Sequence, residues 1–310
     1  MALLKRKRVL AAKIETTSGT AIALTGTDAS YNAYDIMIQP EIEFIDREGQ
    51  GSFGHLPSVP GGYKGKATFK TDVSWDGTLT EPAWADAFLP ACGLVKTGQV
   101  FTPRSEAPGS NVKTLTIGCY VDGIFKSICG AAGTFKLVCP TGKMAYIEWE
   151  FTGVWVPPTD VAIISPTYPT ASALRYANST TTWNSVALCL ENITLDIGNE
   201  VIMRECAAAN GYEAALITNR KIKITGNPET KLVATQDRYG QLLAMTEGIL
   251  TWDIDGPTTS VLTIAAPKAQ LVKNQEGDRN KMVVDDLEWQ ANQNASTIDT
   301  ELSITFTAAI

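Results

Sequence analysis

Apolar and polar residues alternate along much of the chain, with a period of two. The clearest runs are Glu41–Ile45, Lys66–Trp75 and Ile147–Thr152. A period of two with one polar face is typical of antiparallel strands that are solvated on one side. The dipeptides Asp122-Gly123 and Asp255-Gly256 predict hairpin turns, because glycine accepts the positive φ that tight turns require. The pattern therefore predicts a mainly β protein.

Helical periodicity is scarce and short. Residues 81–93 form one amphipathic candidate, with Trp84, Phe88 and Leu89 on one side and Gly93 as a stop. Residues 235–248 form a second candidate, which Gly240 weakens. Each predicted helix follows a set of strands and precedes a hairpin, so the same order of elements occurs twice.

A sequence repeat supports this duplication. YVDG before KLVCPTGKM, in the first half, is matched by DIDG before QLVKNQEGDRNKM in the second. The stretch between the halves is rich in proline, serine and threonine, which is typical of a linker on the surface. We therefore predict two similar β domains, at residues 1–156 with an N-terminal arm and at residues 186–310, joined by a linker at residues 157–185.

Charge is distributed unevenly along the chain. The net charge is −7, yet the start contains the basic cluster Lys5, Arg6, Lys7 and Arg8. An acidic body repels nucleic acid rather than binding it. Such a cluster can bind nucleic acid, but we interpret it as a mobile basic arm that docks on acidic protein surface.

Cysteine usage and hydropathy further narrow the class of protein. Six cysteines without a Cys-x-x-Cys pair, in a chain without an evident export signal, indicate reduced and mostly buried thiols. No apolar run approaches the ~20 residues that cross a bilayer. We expect no membrane contact.

Candidate catalytic sites are weak. Gly49–Gly54 matches the glycine spacing of a dinucleotide site, but the residues after it cannot begin a helix, so we predict a flexible loop. His55 is the only histidine, and no nucleophile motif accompanies it. Paired carboxylates such as Glu148 and Glu150 suit a solvated strand face as well as acid–base catalysis. We therefore predict no enzyme activity, no cofactor and no metal.

Two long segments are better candidates for contacts with other chains. Residues 46–63 are rich in glycine and proline, and residues 199–219 are longer and partly apolar. Loops of this length are uncommon in compact domains unless they bind something or are disordered. In an assembling protein they would present apolar side chains to a neighbour.

Three stretches resemble the tail tube, or major tail, proteins of long-tailed bacteriophages. They are LAAKIETTSGTAIALTGTDASYNAYDIMIQPEIEF, the EFTGVW that ends the first half, and LDIGNEVIMRE with GYEAALITNRKIKITGNPE. The resemblance implies β-sandwich domains, each with a short flanking helix, whose inner strands join into a β-barrel that lines a channel for DNA. Most members contribute six single-domain subunits to a ring, so a duplicated chain implies three subunits in a pseudo-hexameric ring.

The resemblance also implies which residues make contacts. The two long segments and the basic arm would contact the adjacent ring, and the candidate residues are Arg47, Phe53, His55, Leu56, Val59, Ile202, Met203, Tyr212, Lys5, Arg6, Lys7 and Arg8. An acidic lumen would let DNA pass without specific binding, and the candidate lining residues are Glu41, Glu43, Glu148 and Glu150. The implied partners are further copies of the chain, tail terminator and tail tip or baseplate proteins, and a tape measure protein in the lumen. The protein would assemble in the bacterial host cytoplasm and reside in the virion tail.

Two other functions stay open from the sequence. The first is a carbohydrate- or receptor-binding β-sandwich module, in which Tyr168, Tyr176 and Trp183 of the linker would stack on sugars. The second is a glycoside hydrolase that uses paired carboxylates.

Overall fold

A computed structural model describes residues 3–51, 53–207, 211–257, 259–294 and 296–308. The fold is mainly β, with 57% strand and 6% helix, which confirms the predicted class. The helices are α1 (Ala83–Ala91) and α2 (Arg238–Leu243). The strands are β1 (Arg8–Ile14), β2 (Ala33–Pro40), β3 (Phe44–Glu48), β4 (His55–Pro60), β5 (Lys64–Asp72), β6 (Leu94–Thr97), β7 (Val100–Pro103), β8 (Leu115–Val121), β9 (Ile124–Pro140), β10 (Tyr146–Asp160), β11 (Thr181–Trp183), β12 (Val186–Ala187), β13 (Leu190–Asp196), β14 (Asn199–Cys206), β15 (Gly211–Arg220), β16 (Lys223–Pro228), β17 (Glu247–Asp255), β18 (Val261–Arg279), β19 (Met282–Ala291) and β20 (Ser303–Thr307).

Two matching sets of antiparallel strands form most of one large sheet. The first set has the order β1-β8-β9-β10-β5-β2. The second has the order β11-β17-β18-β19-β16-β13. In chain order each strand of the first set has a counterpart in the second, so the repeat in the sequence is also a repeat of topology.

The strand patterns explain which face of the sheet is buried. Along β10, Ile147, Trp149 and Phe151 are buried, whereas Glu148 and Glu150 point away from the core. The alternation predicted for 147–152 is therefore confirmed. That predicted for 66–75 holds up to Thr71, but β5 ends at Asp72 and residues 71–75 are all buried. The strand predicted over 41–45 is wrong: β2 ends at Pro40, and β3 begins at Phe44. The intervening residues carry the chain out of the sheet towards a separate hairpin.

The two helices differ in how well they are covered. α1 buries Trp84, Phe88 and Leu89 as the pattern predicted. α2 is shorter than its predicted span, because the side chain of Asp237 accepts a hydrogen bond from Gly240 N at one end, and Met245 adopts φ 52° just beyond the other. Leu243 and Met245 stay 84% and 69% exposed.

Both sets of strands share one hydrophobic core, which is rich in aromatic rings. The rings of Trp75, in the first half, and Phe306, in the second, meet edge to face with centroids 5.3 Å apart. Trp183 and Trp289 meet in the same way at 5.8 Å. Aromatic pairs of this kind each add about 0.5–1.5 kcal/mol beyond the burial of their area.

The tight turn predicted at Asp122-Gly123 is confirmed, whereas the one predicted at Asp255-Gly256 is a longer connection without positive φ at the glycine. Asp122 and Gly123 have φ 43° and 104° and join β8 directly to β9, as a two-residue turn requires. Asp255 is the last residue of β17, and Gly256 N donates to Ser260 O to close the connection to β18.

Candidate assembly surfaces

The two sets of strands are joined by one antiparallel ladder between β9 and β13. Its register places Lys136 opposite Asp196 and Leu137 opposite Leu195. Nζ of Lys136 lies 3.1 Å from Oδ2 of Asp196. One edge strand of the second set therefore pairs with the far part of the long strand β9.

The counterparts of β9 and β13 can be identified from register and charge. Ile38 of β2 faces Ala67, and Leu195 of β13 faces Ile224. The next strands contain matching ion pairs, which are Lys66–Glu150 at 2.5 Å and Lys223–Glu288 at 3.1 Å. β2 thus corresponds to β13, and β18 corresponds to β9.

These two counterparts have unpaired edges. In the described part of the chain, β2 pairs with β5 and with no other strand. Residues 272–279 of β18 likewise have β19 as their only neighbour there. Unpaired edges expose rows of N–H and C=O groups that can pair with another chain.

The two long segments expected to be loops are β-hairpins, which corrects that prediction. β3 pairs with β4, and β14 pairs with β15. Gly49–Gly54 lies at the tip of the first hairpin, where Ser52 falls outside the described residues. The two hairpins have the same register. In the first, Ile45 faces Val59 and Glu48 faces His55. In the second, the corresponding pairs are Ile202 with Leu216 and Glu205 with Tyr212.

The second hairpin is docked on the first half of its own chain. Ala214 and Ala215 are buried there. A Cβ added to Gly130 of β9 would lie 3.0 Å from Cα of Ala214, so the two backbones touch. Nδ2 of Asn199 donates to the carbonyl oxygens of Cys92 and Gly133, at 2.8 and 2.9 Å. The first hairpin has no such cover, and every residue of β3 and β4 is exposed.

The candidate contact residues divide between the two hairpins and the chain start. Arg47, Phe53, His55, Leu56 and Val59 belong to the exposed first hairpin. Ile202, Met203 and Tyr212 belong to the docked one, where the ring of Tyr212 lies against Gly62. Residues 208–210 of the tip lie outside the described residues.

Part of the basic cluster contacts the body of its own chain. Leu4 N donates to Oδ2 of Asp122 at 2.8 Å, and Nζ of Lys7 lies 3.3 Å from the other carboxylate oxygen. Nη1 of Arg8 donates to Ile36 O at 2.6 Å. These contacts place the cluster beside the β8–β9 turn, where Lys5, Arg6 and Lys7 are exposed.

Charges of alternating sign cross the solvent-facing side of the sheet. One row of directly opposed residues runs Tyr34, Lys70, Glu148, Lys136, Asp196, Lys223, Gln290 and Gln270. Nζ of Lys70 lies 2.8 Å from Oε1 of Glu148, and the hydrogen bond to this carboxylate raises the pKa of the lysine. This face includes Glu148 and Glu150, and a lysine pairs with each of them. Glu41 and Glu43 lie between β2 and β3, outside the strands.

Sequence reasoning missed the polar residues that fasten the halves together. Arg220 contacts Asp299 and Glu301, which are 79 and 81 residues away in the chain. Asp299 also accepts hydrogen bonds from the backbone N and Oγ of Ser105. No spacing in the sequence indicates these contacts, since they depend on how the second hairpin docks.

Features expected of the alternative functions are weak. Tyr176 and Trp183, two of the three proposed sugar-stacking aromatics, are buried, which corrects that expectation. In the described part of the chain no group of three or more His, Cys, Asp or Glu side chains is arranged to hold a metal. No described helix is long and apolar enough to cross a membrane.

The buried thiols behave as small apolar groups. Cys92, Cys119, Cys129 and Cys139 are buried, whereas Cys189 is exposed and Cys206 is partly exposed. Burial raises the pKa of Cys119 and of Cys129 to about 11, and that of Cys139 to about 12. A thiol is reactive as its thiolate, so these three are protected at neutral pH.

A mainly β chain with a docked hairpin, a second exposed hairpin and two open sheet edges is suited to self-assembly. The family model for phage tail tube protein matches residues 5–291. The match covers most of the chain, which therefore belongs to the phage tail tube protein family. It is a structural protein of the bacteriophage virion tail. A search of curated proteins found no match.

Proposed function

We propose that three copies of this chain form one ring of a tail tube and that rings stack around a channel through which viral DNA is ejected. Each copy contributes two tube domains, predicted at residues 1–156 and 186–310 with a linker at 157–185. β10 runs on to Asp160 and β11 (Thr181–Trp183) pairs with β17, so the connection between the domains shortens to residues 161–180. The role is structural and not enzymatic.

The observation that supports the ring is the β9–β13 junction together with the two open edges that correspond to it. If β2 of one copy pairs with β18 of the next as β13 pairs with β9, the same junction repeats at every domain boundary. Each copy supplies eight strands in the order β2-β5-β10-β9-β13-β16-β19-β18. Three copies then close a barrel without an open edge, which removes the aggregation hazard of the isolated subunit.

The matched registers give the expected pairing between copies. Thr194 faces Val138 in the chain, and the corresponding residues are Met37 and Gly277. In the same register Asp35 of one copy faces Arg279 of the next. Arg279 already pairs with Glu229 of its own chain at 2.6 Å, and Asp35 would add a second carboxylate at a facing position.

The face with alternating charges would line the channel. Lysines neutralised by adjacent carboxylates cannot form a continuous basic track, so phosphates find few unpaired cations to bind. DNA and a tape measure protein would then pass without specific binding. Glu41 and Glu43, between the barrel and the first hairpin, would lie at the end of this surface.

Stacking would use the hairpin face that stays exposed in both domains. Val59 with Ile45, and Ile202 with Leu216, are apolar pairs at corresponding positions. Six such pairs would surround each three-copy ring. Arg47, Phe53, His55, Leu56, Met203, Tyr212 and the basic residues Lys5, Arg6, Lys7 and Arg8 are the further candidates for this contact. Terminator and tip or baseplate proteins would cover the last rings, and assembly would take place in the host cytoplasm.

A cysteine cross-link tests the ring. Met37→Cys with Gly277→Cys, in a background with Cys189→Ser and Cys206→Ser, places thiols at positions where directly opposed strand residues allow a disulfide. Non-reducing gels of assembled protein should show dimers and then trimers, and no larger species. Thr194→Cys with Val138→Cys is the matched control, since that pair should close within one chain. If the control pair forms its disulfide but the test pair gives no intermolecular product, the proposed ring is refuted.

A further inference from the structure

We infer that the first hairpin docks on the next copy within the same ring, with Phe44 and Pro60 seated at the C-terminal end of α2. This inference rests on the proposed ring and adds to it a specific contact surface. The occupant of that surface is a second copy of this chain.

The docked second hairpin provides the internal model for this contact. Val201 faces Ile217 across its two strands. A Cβ added to Gly93 would lie 3.2 Å from Cδ1 of Ile217, so this face of the hairpin lies directly on the second residue after α1. The Asn199 side chain secures the contact by donating to Cys92 O.

The corresponding face of the first hairpin is exposed in the described part of the structure. Phe44 faces Pro60 in the same register as Val201 faces Ile217. Phe44 is 62% exposed in the isolated subunit. Ile45, Leu56 and Val59 of the same hairpin are exposed as well, and grouped exposed apolar side chains mark protein–protein contacts.

The receiving surface is present on the second half. α1 contacts β9, and α2 contacts the corresponding strand β18. Each helix is followed by a residue in the left-handed region, Gly93 at φ 75° and Met245 at φ 52°. The two contacts differ in which partner is the larger residue. In the contact within the chain, Gly93 leaves room for the large Ile217. In the contact between copies, the larger Met245 would meet the compact Pro60.

The direction of docking follows from the strand order. β13 pairs with β9, and the hairpin after β13 lies over the first half, to which β9 belongs. If β2 pairs with β18 of the next copy, the hairpin after β2 must lie over the second half of that copy. The hairpin therefore extends sideways within the ring, and its opposite face, with Ile45 and Val59, remains free for the adjacent ring.

Two variants on opposite faces of β3 test the inference. Phe44→Ser should weaken ring formation at least tenfold, as measured by sedimentation velocity, with unchanged circular dichroism. Ile45→Ser is the matched control and should still form rings but not stacks in negative-stain microscopy. Normal rings from Phe44→Ser would overturn the inference.

A second cross-link separates this inference from the ring itself. Pro60→Cys with Met245→Cys, in the background lacking Cys189 and Cys206 thiols, is treated in assembled tubes with a short bis-maleimide. Cross-linked species no larger than the trimer support docking within the ring. Cross-linked species larger than the trimer overturn this inference and indicate contact between rings. If this pair fails while the Met37/Gly277 pair cross-links, the docking is wrong and the ring stands. If both pairs fail, the ring is wrong as well.

Discussion

Replacing Arg220 by methionine should destabilise the subunit far more than the same replacement of Arg204. Both arginines belong to the second hairpin, and both have a carboxylate partner. They differ in burial. The Arg220 side chain is 9% exposed, with partners that are 9% and 14% exposed, whereas Arg204 and its partner Glu213 are 60% and 39% exposed.

The structure sets the expected magnitude. Arg220 Nη2 lies 2.6 Å from Oε1 of Glu301 and 3.3 Å from Oδ1 of Asp299. Removal of the guanidinium leaves two poorly solvated carboxylates next to each other, and breaking a buried pair in this way costs about 3–5 kcal/mol. An exposed pair such as Arg204–Glu213 contributes about 0.2–1 kcal/mol. Methionine retains the apolar contacts of the arginine stem, so the difference between the two variants reports mainly on charge.

Urea unfolding followed by tryptophan fluorescence measures this difference, at concentrations below those that allow assembly. We expect the Arg220→Met midpoint to fall by the equivalent of about 3 kcal/mol and the Arg204→Met midpoint to change by less than about 1 kcal/mol. Adding Asp299→Asn and Glu301→Gln to Arg220→Met should restore much of the loss, because the uncompensated charges are gone. Equal shifts for the two single variants, or no recovery in the triple variant, would refute the reasoning.

Three further predictions concern the sheet face and the thiols. Glu148→Lys with Glu150→Lys should yield tubes that retain DNA fragments in a strongly salt-dependent manner; tubes that release DNA as readily as the wild type would contradict the assigned lining. In native subunits, maleimide should label Cys189 and Cys206 within minutes and the other thiols only on unfolding, as read by intact mass; rapid labelling of a third site would disprove their burial. Because burial raises the pKa of Cys139 from 9.0 to about 12, the fold favours the neutral thiol. The contribution of this thiol to the free energy of unfolding is complete below pH 9 and is lost as pH rises through 12. Cys139→Val should therefore reduce the alkaline loss of stability by about 1.4 kcal/mol per pH unit. An unchanged dependence of the unfolding free energy on pH, measured by urea titrations, would count against this prediction.

Local sequence patterns were sufficient to predict those strands and helices that bury one face against the core. The alternation around Trp149 predicted a strand, and the apolar stripe around Phe88 predicted α1, because burial of one face imposes a period that the sequence records. The Asp122-Gly123 dipeptide predicted its turn for a similarly local reason. Residues 46–63 were instead assigned to a loop, because a hairpin with both faces exposed has no core to impose alternation.

The candidate surfaces could be predicted only in part. The repeat in the sequence indicated two similar halves, and the glutamates of β10 were correctly placed on a solvent-facing strand face. Their pairing with Lys66 and Lys70 was missed, because cross-strand neighbours depend on register between segments far apart in the chain. The same limit hid the contacts of Arg220 and Asn199.

The sequence by itself determined the mainly β class, the duplication and the absence of an evident catalytic constellation, since each of these is present in local pattern or composition. The tertiary structure decided which repeated elements are satisfied within the chain and which are left open. β13 and the second hairpin find their partners in the first half, because that half precedes them in the same polypeptide. In the described part of the chain, β2 pairs only with β5, and the strands of the first hairpin stay exposed. Although the registers are identical, β13 and the second hairpin therefore form a buried junction, whereas the edge of β2 and the first hairpin are exposed.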